Sequence, residues 1–116
     1  MPQFLITWIV TAIALLITAR IVPGLEIDSV SASIIGAAIL GFVNAIVKPI
    51  LFIFTLPLTI LTLGLFLLVL NAISLGIVGA LTPGFAVSGF LPALFGSLIL
   101  SFIAGLLNQF FQGEMD

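Results

Sequence analysis

Val22-Pro23-Gly24-Leu25-Glu26-Ile27-Asp28 and Thr82-Pro83-Gly84-Phe85-Ala86-Val87-Ser88 are two versions of one segment, sixty positions apart. The same landmarks follow each: Gly36, Ile39-Leu40 and Phe42 after the first, Gly96, Ile99-Leu100 and Phe102 after the second. The correspondence also reaches back, from Ala12-Ile13, Leu15 and Ile17 to Ala72-Ile73, Leu75 and Ile77. Each copy reads as apolar span, Pro-Gly turn, apolar span. A repeat of fixed period constrains the architecture more strongly than any local pattern, and two tandem helical hairpins give four spans.

Composition sets the solvent. A chain that is 63% hydrophobic and 5% charged cannot cover a soluble domain of 116 residues with polar surface. Apolar runs of about 20 residues match the roughly 30 Å hydrocarbon core of a bilayer. Without water to satisfy backbone groups such runs must be helical, and they lack the alternation of a barrel strand. The predicted fold is an all-α integral membrane protein. Its four transmembrane helices form two tandem helical-hairpin repeats, and an even number of spans per copy predicts parallel pseudo-twofold symmetry about the membrane normal. The chain reads as a single membrane domain over 1–116: repeat 1 at 4–48, a connector at 49–57, repeat 2 at 58–111 and an acidic tail at 112–116.

Pro23-Gly24 and Pro83-Gly84 suit the two central positions of a type II turn, proline presetting φ and glycine accepting a positive value. The alternation that follows predicts short strands at 25–28 and 85–88. Under a twofold along the normal these meet antiparallel, as a ribbon outside the membrane. Asp28, Ser29 or Ser31 can cap the second span, which continues to about Val47 and stops or bends there because Pro49 disfavours helical geometry at Lys48 and has no N–H. Residues 49–57 read as a membrane-immersed or interfacial connector, for which a short helix with Pro49 at its first position is one form, and the third span as 58–81, loosened near Gly64. The fourth covers 90–111. Arg20 and Lys48 are the interface anchors, because a cation at mid-bilayer costs roughly 2.5–3.5 kcal/mol on insertion scales. The amino terminus and Lys48 on one side outweigh Arg20 on the other, which predicts both termini in the cytoplasm.

Helices in lipid associate by close packing, so rows of small residues mark contact faces. Ser33, Ala37, Gly41 and Ala45 in the second span correspond to Ala93, Ser97, Ser101 and Gly105 in the fourth, and these two ridges are expected to face each other. A third row, Ala72, Gly76 and Ala80, lies in the third span. Packing within the chain and contact between copies both use such faces. Asn44, Asn71 and Asn108 are the strongest polar groups of the spans. They act as packing glue, or alternatively line a pore or a solute site.

The chain has neither cysteine nor histidine, which removes thiolate and imidazole chemistry and the usual transition-metal ligands. No catalytic residue, metal site or cofactor is predicted. Glu26 and Asp28 form a close carboxylate pair on a solvated loop that supplies no desolvation or partner for acid/base work. A net charge of −2 without a basic patch excludes nucleic acid as a partner. Met1-Pro2-Gln3 lacks the basic start of a secretory signal, so the first span reads as retained.

Asn44-Ala45-Ile46-Val47-Lys48-Pro49, Thr55-Leu56-Pro57-Leu58-Thr59 and Asn71-Ala72, with Pro83-Gly84-Phe85 and Gly89-Phe90, resemble the bacterial four-span family known as phage holin superfamily IV, or YvlD-like membrane proteins. The resemblance covers nearly the whole chain. It implies a small multi-pass protein of the bacterial cytoplasmic membrane, and the family name implies a homo-oligomer that opens that membrane. It offers no catalytic residue. This chain departs from the family at its start, where relatives carry Lys or Arg. The residues favour a structural or partner-binding role, since three amides and scattered hydroxyls line a wide aqueous channel poorly. The partners expected are the lipid bilayer, with a second copy or another membrane protein as the associations left open. Transport of a small solute ranks last, for want of an intramembrane carboxylate to couple ions.

Overall fold

The computed structural model describes residues 3–115, with side chains described as far as Phe111. Helix α1 is Gln3–Ile21, strand β1 is Leu25–Ile27 and helix α2 is Val30–Phe42. A π-helical turn, Val43–Val47, joins α2 to α3, Lys48–Phe54. Helix α4 is Leu56–Leu61, α5 is Phe66–Leu81, strand β2 is Phe85–Val87 and α6 is Phe90–Met115. Met1, Pro2 and the side chains of the expected acidic tail lie outside the described residues.

Three stretches are long and apolar enough to cross a bilayer: Gln3–Ile21, Val30–Phe54 and Phe90–Phe111. Helix α5 is apolar but has 16 residues. At 1.5 Å per residue it reaches about 24 Å, short of the hydrocarbon thickness. The third span expected over 58–81, loosened near Gly64, is therefore not one helix. It breaks at 62–65, where Leu63 and Gly64 take φ of 57° and 90° and end α4. The Gly64 N–H reaches back to the Thr59 carbonyl at 2.8 Å, closing the helix end.

At Pro49 the second span does not stop but passes through the π turn into the short helix α3, with Pro49 in its first turn, one of the expected forms of the connector. Proline cannot donate to the preceding turn, and its ring crowds the carbonyl four residues back. The widened π turn accommodates both, with the Lys48 N–H donating to the Val43 carbonyl, five residues back. The connector is thus largely helical, α3 and α4 meeting at Thr55. The Thr55 hydroxyl donates to the Leu51 carbonyl at 2.8 Å.

Strands β1 and β2 pair antiparallel in the register Leu25↔Val87, Glu26↔Ala86 and Ile27↔Phe85. The ribbon anticipated at 25–28 and 85–88 is present. Two further bonds extend it, Asp28 N–H to the Gly84 carbonyl at 2.9 Å and Ser88 N–H to the Gly24 carbonyl at 2.8 Å. Gly24 and Gly84 hold φ of 93° and 84° in the turns, values an L side chain rarely adopts. Ser29 caps α2, its Oγ accepting from the Ala32 N–H at 3.1 Å.

Helix α1 packs against α2 and α6, and α5 against α6 and α2, giving a four-helix ring. The small-residue ridges of α2 and α6 consequently do not form the central contact expected of them. Leu15, Leu40, Leu75 and Leu100 belong to the core between the helices, and their bulk keeps α2 and α6 apart. Of the two repeated glycine landmarks, Gly96 is a close approach, where a Cβ would lie 2.5 Å from Leu25 Cδ1 and 3.1 Å from Leu75 Cδ2, whereas one at Gly36 would make an ordinary contact, 3.6 Å from Leu15 Cδ1.

Gly96→Ala should therefore destabilise the protein by about 1–3 kcal/mol through overpacking. Gly105→Ala, with open space at its Cβ, should stay within about 0.5 kcal/mol of wild type, as surface substitutions do. Thermal unfolding in detergent, followed by circular dichroism, checks both. The ribbon is tested by Glu26→Cys with Ala86→Cys. Directly opposed strand residues have Cα atoms about 4.5–5.5 Å apart, within disulfide reach, so mild oxidation should cross-link this pair within one chain.

Candidate functional site

Seven polar residues of the spans converge on one place. A cavity of about 140 Å³ lies between the four helices, its wall drawn from Thr11 of α1, Asn44 and Lys48 at the end of the second span, Asn71 and Ser74 of α5, and Ser97 and Ser101 of α6. Leu40, Leu75, Leu100 and Ala104 complete it. Exposure is graded along the wall. Ser74 and Ser97 are buried, Thr11, Asn71 and Lys48 half-buried, and Asn44 and Ser101 exposed. The cavity is thus closed near Ser74 and opens toward Asn44 and Ser101.

Each wall residue is placed by helical spacing. Asn71 and Ser74 are three apart on α5, and Ser97, Ser101 and Ala104 descend one face of α6, so each set shares a side. Asn44 lies in the π turn and Lys48 just beyond it. Ser97 is satisfied locally, its hydroxyl donating to the Leu94 carbonyl at 2.8 Å. Ser74 is not: its Oγ is buried and has no hydrogen-bond partner. A hydroxyl left unsatisfied in this way costs about 1–3 kcal/mol. Thr82 Oγ1 is the other such atom, at the ribbon end of the bundle.

A second, larger depression adjoins the first. It has a volume of about 590 Å³, runs between α1 and α2 past Phe4, Trp8, Ala37 and Gly41, and shares Thr11, Leu40 and Asn44 with the cavity. The Trp8 Nε1–H crosses between these helices to the Ile34 carbonyl at 2.8 Å, tying α1 to α2 at its margin.

Of the residues singled out by sequence, Asn44, Asn71 and Lys48 meet at the cavity. Asn108 is half-buried on α6 and outside its wall. Arg20 is exposed at the ribbon end of α1, near Glu26 and Asp28. Ser33, Ala37, Ala72, Ala93 and Ser97 are buried, Gly76 is half-buried, and Gly41, Ala45, Ala80, Ser101 and Gly105 are exposed. Pro23-Gly24 and Pro83-Gly84 form the turns. Sequence reasoning missed Ser74, whose signal is that it stands where the other copy has Ala14, and it missed Gly36 and Gly96, both landmarks of the repeat. Among the described residues no group of three or more acidic, histidine or cysteine side chains could hold a metal ion.

An apolar helical bundle with its polar groups turned inward and a belt of exposed Ile, Leu and Phe is the build of a multi-pass membrane protein. The family model for mycobacterial four-span phage holins, superfamily IV, matches residues 2–106. The chain belongs to that family, whose description supplies the four-span count that helix length alone leaves at three. It is 39% identical to the uncharacterised membrane protein YvlD of Bacillus subtilis over 110 residues, covering 94% of this chain and 92% of that one. An uncharacterised Streptomyces coelicolor protein is 38% identical over 120 residues, 95% of this chain and 96% of its own length. No solved structure matches.

The graded wall predicts graded reagent access, and the cysteine-free chain gives a clean background for testing it. In detergent, Asn44→Cys and Ser101→Cys should react with N-ethylmaleimide roughly ten-fold or more faster than Ser74→Cys, since thiol reactivity follows exposure. Mass spectrometry of timed reactions checks it.

Proposed function

We propose that this protein is a non-enzymatic, structural or partner-binding component of the bacterial cytoplasmic membrane, acting as a compact bundle and not as the wall of a wide pore. One observation carries this reading: the amides of Asn44 and Asn71, Lys48 and four hydroxyls that share one wall enclose only about 140 Å³ between the helices, while the outward faces carry residues such as Ile9, Ile13, Phe95 and Phe102. A wide aqueous pore needs a polar stripe to line it. Two small amides and a few hydroxyls inside the bundle fall short of one.

The domain organisation goes with this reading. Repeat 1 at 4–48 and repeat 2 at 58–111 are parallel hairpin units joined by the connector at 49–57. Support comes from the element ends: α1 and α5 end at Ile21 and Leu81, β1 and β2 begin at Leu25 and Phe85, and α2 and α6 begin at Val30 and Phe90, each pair sixty apart. Both termini are on the cytoplasmic side, the side of Lys48.

The holin-like alternative, a homo-oligomer that permeabilises the membrane, is favoured by a different observation. Cβ positions at Gly41, Gly76 and Gly105 have open space around them, and Ala45 and Ala80 are exposed. Such small-residue faces permit close approach of a second copy. Purified protein reconstituted into dye-loaded liposomes separates the two readings. The compact-bundle reading expects retention of dye at every protein-to-lipid ratio and a chain mass in nanodiscs independent of loading. Graded leakage that rises with a larger oligomer establishes the pore and removes the bundle reading.

A further inference from the structure

We propose that the cavity between the four helices binds the phosphate of an anionic phospholipid from the leaflet on the Lys48 side, with Lys48 as its counter-charge and Ser74 at its inner end.

The first support is the hydroxyl of Ser74. It is 2% exposed, its oxygen has no partner in the protein, and it belongs to the cavity wall. A buried polar atom left unsatisfied in a well-packed bundle calls for an explanation. A bound acceptor supplies one, since the hydroxyl can donate to a phosphate oxygen.

The second support is charge. Lys48 is an ionisable residue within a membrane-crossing stretch, and such residues face cavities and pair there. Glu26 and Asp28 lie before Val30, at the opposite end of the second span, about 27 Å along the helix from Lys48. They cannot neutralise it, and among the described side chains no acidic one lines the cavity; the side chains of Glu114 and Asp116 lie outside the described residues. The site therefore presents one cation, the amides of Asn44 and Asn71 and several hydroxyls, a donor set for an oxyanion. Basic pockets between transmembrane helices are suited to anionic lipid headgroups.

The third support distinguishes a lipid from a free anion. The 590 Å³ groove between α1 and α2 is walled by Phe4, Trp8, Ala37 and Gly41 and runs into the cavity at Thr11, Leu40 and Asn44. An apolar channel continuous with a cationic polar pocket matches an acyl chain attached to a phosphate. A soluble anion would use only the pocket.

The test uses full-length protein in phosphatidylcholine nanodiscs, with phosphatidylglycerol or inorganic phosphate added. Lipid retention by native mass spectrometry and thermal unfolding are the readouts. Phosphatidylglycerol should be retained at one per chain and raise the unfolding temperature. Lys48→Gln should weaken retention about ten-fold, the scale of one lost charge-assisted contact. Ser74→Ala should weaken it roughly three-fold. Alanine already occupies the matching position, Ala14, so this variant keeps the test available should Lys48→Gln not fold. Arg20→Gln, altered at the far end of the bundle, should match wild type. Equal retention of phosphatidylcholine, or equal losses in the Lys48 and Arg20 variants, overturns the site. Lys48-dependent protection by inorganic phosphate alone overturns the lipid assignment in favour of a soluble anion. None of these readouts depends on dye leakage, so the site and the compact-bundle reading can fail separately.

Discussion

The structure depends on six strand residues, three from each half of the chain, being able to find one another. In lipid there is no hydrophobic force to bring two hairpins together, because acyl chains solvate leucine as well as another leucine does. The β1–β2 ribbon supplies a directional constraint instead. Its main-chain bonds, including the reciprocal pair Asp28 to Gly84 and Ser88 to Gly24 at 2.9 and 2.8 Å, fix the turn of one hairpin on the turn of the other. With those ends joined, α1 is set against α6 and α5 against α2, and the ring closes.

Packing then proceeds from the ribbon downward. Leu25 and Phe85 are buried beneath it; Leu25 enters the space left by the absent side chain of Gly96, and Phe85 lies in ordinary contact distance of Gly36. Leu15 and Leu75 follow, and below them come Leu40 and Leu100. The bundle is tightest at the ribbon end and loosens toward Asn44 and Lys48, where bulky core residues give way to amides and hydroxyls. Thr18 illustrates the tight half: fully buried, it satisfies its hydroxyl on its own helix, donating to the Ala14 carbonyl at 2.7 Å. Thr82, at the same end, and Ser74, nearer the cavity, are the described residues whose buried hydroxyls find no such partner.

How much of this was legible depended on whether a feature was encoded locally or jointly. The spans, the turns and the ribbon follow from apolar run length, Pro-Gly pairs and alternation at residues 25–28 and 85–88, all readable in place. The break at Leu63-Gly64 is only half legible, since Gly64 suggests it but nothing in the letters makes Leu63 left-handed. Pro49 is likewise half legible, because its cost is relieved by a π turn, which has no sequence signature of its own. The ridges of small residues mark where helices can approach closely but do not name the partner. Choosing it required the volumes of Leu15 and Leu75, which are distant in sequence. The cavity follows the same logic: Asn44, Lys48 and Asn71 were visible as polar residues, but their convergence with Ser74 needs three helices placed together.

The two copies also differ in an informative way at this cavity. Its apolar wall is shared between them, Leu40 with Leu100 and Leu75 with Leu15, as packing requires of either half. Its polar wall is not. Asn44 stands opposite Ala104 in the sixty-residue correspondence, Lys48 opposite Asn108, Ser74 opposite Ala14 and Asn71 opposite Thr11. Alanine at 14 and 104 shows that the fold accepts an apolar residue at two of these places, so the hydroxyl of Ser74 and the amide of Asn44 are not demanded by packing. A buried, unsatisfied hydroxyl lowers stability, and a cation in a span lowers it further. Residues that cost the bundle stability and are absent from its other half are best explained by something they bind, which locates function in the asymmetric polar wall and leaves architecture to the shared apolar one.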